Sequence, residues 1–244
     1  MDTFTGVAVR EGEAALSAVP TAVNQMQRLV DSSFAYTSLR TVESGFASAV
    51  SKSQGIPSEN EEMTKLVSSV RDEVTQALNV LLSLKRWIRV QVPKIEDGNN
   101  FGVSVQLDTL KAIDELLAPL MKALDDLPNY FEKRAGAWEK FCKKTSKETK
   151  MSTSESKETG GKEGASNKTS DSSSSEEKQS ESSSPPDAVL HIVALDLRWY
   201  VSLHHTLIGA RDAVVLTADM IEKNMEKLRR PKGTNTQGGG MYSF

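Results

Sequence analysis

The sequence predicts an all-α protein: an elongated antiparallel four-helix bundle with a long disordered insert between its third and fourth helices. Three observations carry this. Apolar residues recur at intervals of three and four along most of the chain. No segment shows the strict alternation of a half-buried strand, and proline and glycine breaks fall where bundle helices would end. Of the 244 residues only 38% are hydrophobic, a low share for a packed fold, and one segment explains it. From Thr145 to Asp187 there are 14 Ser, nine acids and six Lys, and the only aliphatic residues are Met151 and Ala165. This insert carries the chain's entire net charge of −3, which leaves the other 201 residues neutral and apolar enough to bury a core.

Val7 to Val50 is rich in Ala, Val and Ser with a usable apolar period. It reads as a first helix over about 7–50, with Pro20 its weak point. Ser51 to Pro57 is a short connector. The second helix is expected over about 59–92. Met63, Leu66, Val67, Val70, Val74, Ala77, Leu78, Leu81 and Ile88 share one face, with cap chemistry available from Ser58, Glu59 and Asn60. Pro93 ends it by pushing the preceding residue out of the α region.

The third helix, over about 102–142, follows a seam stepping by three and four: Leu110, Ile113, Leu117, Leu120, Leu124, Leu127, Phe131, continuing to Trp138 and Cys142. Pro119 and Pro128 interrupt it, each at a cost of about 3 kcal/mol unless accommodated, so a bent helix or two close-packed pieces is expected. The fourth helix spans about 186–230, with a stripe from Val189 and Ile192 through Tyr200, Leu203, Leu207 and Val214 to Ile221 and Leu228. Arg229 and Arg230 suit its C-terminal dipole, and Pro231 and Gly233 stop it. Residues 231–244 form a flexible tail with an apolar tip. Helices of about 35–45 residues at about 1.5 Å each are rods of about 50–65 Å that pack side by side as one domain over 1–244.

If neighbouring helices alternate in direction, the second helix's end, the third's start and the fourth's end share one pole. The 93–102 loop and the tail then lie together, and the 145–187 insert lies at the opposite pole.

Composition and spacing exclude several functions. The near balance of 33 acids and 30 bases argues against nucleic-acid binding. No apolar run approaches the roughly 18 residues of a membrane span, and the N-terminus lacks a basic start and long apolar stretch, so no signal peptide is expected. One cysteine, Cys142, precludes an intramolecular disulfide or a cysteine zinc site and fits a reducing compartment. His204 and His205 are adjacent rather than four apart, so with His191 they make no metal motif. No P-loop, HExxH or GxSxG occurs, and no catalytic residue, cofactor or metal is expected; the protein is not read as an enzyme.

The most informative segment is Val92–Gln106, VPKIEDGNNFGVSVQ. Its Asp-Gly-Asn-Asn core is strong turn chemistry, and composition by itself describes an ordinary helix–helix turn. The run nevertheless resembles the activation loop of the eleven-S (REG) proteasome activators, whose pattern is close to I-P-R-I-E-D-G-N-N-F-G-V-x-V-Q. Asn129–Arg134 (NYFEKR) and Lys223–Gly233 (KNMEKLRRPKG) resemble that family's third- and fourth-helix signatures. The resemblance implies a ring of seven four-helix subunits that caps the proteasome core particle without ATP, in cytoplasm or nucleus. It implies an activation loop at Lys94, Ile95, Glu96, Asp97, Gly98, Asn99, Asn100, Phe101 and Gly102 that opens the gate, with Asn99 and the Glu96/Asp97 pair at the contact. It implies a docking tail of Met241, Tyr242, Ser243 and Phe244 that enters pockets between core α-subunits. The insert departs from the animal pattern, which places a charged low-complexity segment between the first and second helices. Its role is therefore not carried over. The competing reading is a helical-bundle adaptor or scaffold without gate-opening activity, or an amphipathic protein at membranes. The latter lacks a basic face with aromatic anchors.

Overall fold

Each segment with the three-and-four spacing is helical in the computed structural model, which describes residues 2–35, 38–53, 56–94, 101–155 and 186–232. Among the described residues there are six helices and no strand: α1 Asp2–Ser33, α2 Leu39–Lys52, α3 Glu61–Gln91, α4 Phe101–Asp126, α5 Asn129–Glu155 and α6 Pro186–Arg229.

Where one first helix over 7–50 is expected, two occur, and the break is not at Pro20. Pro20 is exposed within α1, and the helix runs on through it. α1 ends instead on an aromatic plug. The Tyr200 hydroxyl donates to the Ser33 carbonyl at 2.8 Å. Buried Phe34 stacks on His204 at 4.8 Å and tilts against Tyr200 at 5.1 Å. Burial, His205 and Arg211 hold the His204 pKa below the ordinary imidazole value, which favours the neutral ring on Phe34. α2 then starts from Ser38, which has an extended backbone and whose side-chain oxygen accepts the Arg40 N–H at 3.2 Å.

The third helix is two pieces. α4 runs through exposed Pro119, and the break falls at Leu127–Pro128. That break resets the helical phase. Tyr130 is 1% exposed and Phe131 is 45% exposed, the reverse of a seam that carried Phe131 inward. α5 continues to Glu155, and residues 156–185 of the insert lie outside the described residues.

The chain divides into two compact units. One holds α1, α3, α4 and α6 from Tyr200 onward; the other holds α2, the residues before α3, α5 and α6 up to Trp199. In the first unit, Glu13 pairs with Arg229 at 3.1 Å, Arg211 Nη1 donates to Gln27 Oε1 at 2.5 Å, and Ser33 meets Tyr200, so α1 and α6 are antiparallel. Lys85 pairs with Asp114, and Gln106 bonds the Gln91 carbonyl, so α3 and α4 are antiparallel too. Glu11 pairs with Arg86 at 2.6 Å, which brings the start of α1 to the end of α3. The expected four-helix bundle is thus formed here by α1, α3, α4 and α6 around Met26, Leu81, Ile88, Ile113, Leu207 and Ile221, all under 2% exposed.

Gly12 sets how closely α1 approaches α3. A Cβ there would overlap the Cβ and ring of Trp87, itself 1% exposed and with no room to yield. Ala ordinarily gains about 0.5–1 kcal/mol over Gly within a helix, whereas overpacking a core costs about 1–3 kcal/mol. Gly12→Ala is therefore expected to lower the thermal midpoint by several degrees. A midpoint equal to or above the parent's would show that α1 and α3 are not in contact at this point.

The second unit is organised around a buried carboxylate. Asp196, fully buried on α6, receives Arg134 Nε at 3.0 Å on Oδ1 and 3.3 Å on Oδ2, the Tyr130 hydroxyl at 2.9 Å and Asn60 Nδ2 at 2.9 Å. Arg134 Nη1 also donates to the Ser58 carbonyl. Burial, followed by the Asp196 charge, pushes the Tyr130 pKa well above the ordinary phenol value, so the hydroxyl remains a donor. Asn60, expected as helix-cap chemistry, bonds Asp196 of α6 within this unit.

Candidate functional site

The Asp196 cluster contains the chain's most concentrated buried polar chemistry, but it is a closed set. Every carboxylate oxygen is paired, and Arg134 stacks 5.9 Å over Trp138. It offers no open position for a reacting atom and reads as structural. Among the described residues, no group of three or more His, Cys, Asp or Glu is placed to hold a metal. Cys142 is half-buried. No helix among the described residues is long and apolar enough to cross a membrane.

The site the sequence singled out is instead a pole of the first unit. The end of α3, the start of α4 and the end of α6 meet there, together with the start of α1. Of the sequence-predicted loop, Lys94, Phe101 and Gly102 are described. Ile95, Glu96, Asp97, Gly98, Asn99 and Asn100 lie outside the described residues, as do Met241, Tyr242, Ser243 and Phe244 of the tail. What the structure gives is the base from which both segments leave.

That base is closely built. Gly102 is buried against Pro231, and a Cβ on it would overlap the Pro231 carbonyl and Cα. Glycine is required there by the approach of two backbones. Beside it, the Lys227 ammonium lies 5.6 Å over the Phe101 ring, a cation–π contact between loop end and tail root. One turn into α4, the Gln106 amide donates to the Leu228 carbonyl at 2.8 Å and to the Gln91 carbonyl at 3.2 Å. Both carbonyls lie in the last turn of a helix, where backbone acceptors have no partner within the helix. The Arg230 N–H donates to the Glu226 carbonyl at 2.9 Å and closes α6 just before Pro231. Lys94, Arg229 and Arg230 crowd the two helix C-termini, where positive charge offsets the dipole.

Sequence reasoning placed Lys94, Phe101 and Gly102 at the loop ends and expected loop and tail at one pole; Gly102 does lie against Pro231, at the tail's root. It gave no role to Gln106, whose amide bonds two other helices. The one available signal was a glutamine four residues after Gly102, on the line of the buried face that continues with Leu110, Ile113 and Leu117.

Among the described residues, the loop's end and the tail's root share one base in an all-α bundle. Residues 56–156 and 178–238, well over half of the chain, match the family model described as proteasome activator PA28, C-terminal. The chain belongs to the PA28 proteasome activator family. It is 24% identical over 183 residues to proteasome activator complex subunit 3 of Homo sapiens, and equally to those of Mus musculus and Gallus gallus. That alignment covers 75% of this chain and spans 57% of the length of those relatives. Among solved structures, the 11S subunit of the Plasmodium falciparum proteasome, PA28, superposes with a TM-score of 0.63 at 16% identity, covering 95% of this chain and 92% of that one. A chain from the archaeal 20S proteasome in complex with mutated P26 activator gives a TM-score of 0.52 at 14% identity, covering 96% and 91%. These likenesses establish the fold.

Proposed function

We propose that this chain is one subunit of an ATP-independent proteasome activator, a ring, seven-membered as the family resemblance implies, that caps the proteasome core particle. Met241–Phe244 dock between core α-subunits, and the 94–102 loop holds the α-ring gate open for peptides. The observation that carries this is the shared base: Gln106, Gly102 and Phe101 at the loop's end contact Leu228, Pro231 and Lys227 at the tail's root. A tail that binds and a loop that displaces must act on one surface, and the contact between the loop's end and the tail's root supports that reading.

A single flexible tail binds weakly, whereas seven tethered tails act through effective concentration and gain about 10²–10⁴ in avidity. The loop turns that binding into gating by its differential affinity for the open arrangement of the core. The protein acts without a catalytic residue, cofactor or metal, in the cytoplasm or nucleus where core particles reside, with no nucleic-acid or membrane partner.

The test is fluorogenic peptide hydrolysis by a purified cognate core particle, with and without the assembled full-length protein and without ATP. Strong stimulation is expected. A protein that binds the core but does not stimulate it would leave the scaffold reading standing and remove the gate-opening one.

A further inference from the structure

Resting on that reading, we propose that Gln106 is a positioning residue that couples tail docking to loop placement. It is fully buried in the second turn of α4. Its two amide hydrogens go to two different helices, to the last residue of α3 and to Leu228 near the end of α6. Both partners are carbonyls, which only accept, so the nitrogen has to face them and the orientation of the amide is set by chemistry. Its Oε1 then points away, buried and without a partner among the described residues.

That unpaired oxygen is the telling feature. As a core residue alone, glutamine is inferior to a methionine or leucine of similar volume, because burying an unpaired polar atom is unfavourable. The position gains only if its donors are needed. They satisfy one end-of-helix acceptor on α3, three residues before Lys94, and one on α6, three residues before the tail begins at Pro231. Gln106 itself sits one turn after Gly102, where the loop re-enters the bundle. One side chain therefore joins loop start, loop end and tail root. The ion pairs at the same pole, Glu11–Arg86 and Glu13–Arg229, are half-exposed, weakened by solvent, and join α1 to α3 and to α6 without involving α4. Neither glutamate, which has acceptors only, nor asparagine, one methylene shorter, can reproduce the bridge.

The experiment uses assembled full-length rings of the parent, Gln106→Met, Gln106→Glu and the control Ile113→Val, a fully buried α4 change away from the base. Two quantities are read well below each melting midpoint: the half-saturating concentration for core binding and the maximal stimulation of peptide hydrolysis. For Gln106→Met, maximal stimulation is expected to fall at least about fivefold while half-saturation stays within about twofold, the signature of lost coupling between sites. Gln106→Glu should fall at least as far, and Ile113→Val should change its melting midpoint alone.

Amide hydrogen exchange on the free rings gives a readout independent of the core particle. In Gln106→Met, protection is expected to drop together around residues 89–94 and 226–232, and in Ile113→Val at neither. If Gln106→Met behaves like Ile113→Val in both measurements, or loses docking and stimulation in step, Gln106 is only a packing residue and the proposal fails. A parent ring that neither binds nor stimulates a cognate core overturns the activator reading instead. The exchange result then decides whether the bridge joins the two segments.

Discussion

Arg134→Met is expected to destabilise the protein by about 3–5 kcal/mol, the cost of removing one partner of a buried ion pair. Asp196 has no access to water, and Arg134 supplies its only cation among the described residues, with Tyr130 and Asn60 giving neutral bonds. Without the guanidinium, the carboxylate stays buried and uncompensated, and the Ser58 carbonyl loses its donor as well. For a chain of this size each kcal/mol lowers the midpoint by about 2–4 °C, so a fall of about 6–20 °C is expected. The double variant Arg134→Met/Asp196→Leu should recover much of this, because it removes both charges. Chemical denaturation of the parent, the single and the double variants measures the coupling directly. A double variant as unstable as the single would show that the cluster is not acting as a charge pair.

The second large effect concerns function. A chain ending at Gly240 lacks Met241–Phe244 and is expected to require at least about 10²-fold more protein for half-maximal stimulation, since avidity from repeated tails is lost at every subunit. Asn99→Tyr should behave differently. It places a bulky ring in the Asp-Gly-Asn-Asn turn without touching the tail, so core binding should persist while stimulation falls to the level of core alone. Titrating both variants against a fixed amount of core, with binding and hydrolysis read in parallel, separates the steps. Equal loss of binding in the two would mean that the loop docks rather than gates.

Much of this protein can be read along the chain. The apolar face of α3 follows from its spacing: Met63, Leu66, Val70, Val74, Leu81 and Ile88 are all buried. Pro93 and Pro231 stand where α3 and α6 have ended, and the parity of four packed helices correctly put the loop ends and the tail root together. These features are local, because helical period, proline sterics and chain direction act over a few residues at a time. Other features lie beyond such a reading. Period carries phase only while the helix is unbroken, so the break at Leu127–Pro128 exchanged Phe131 for Tyr130 in the core. The junction between α1 and α2 depends on a hydroxyl arriving from Tyr200 rather than on Pro20.

The polar interior shows the same division. Asp196 could be noticed as a carboxylate on an apolar stripe, and Arg134 and Tyr130 within NYFEKR, but nothing in their spacing pairs residues 62 and 66 positions apart. Gln106 reads as one more residue of a helix until Leu228, 122 positions away, is brought against it. Gly12 and Gly102 are ordinary glycines until Trp87 and Pro231 occupy the space a Cβ would need. Sequence alone specified that the segments with three-and-four spacing are helical, which face α3 buries, and that the loop's end and the tail's root share a pole. Packing decided which polar groups meet and how closely backbones approach, because those depend on distances between elements that no local periodicity encodes.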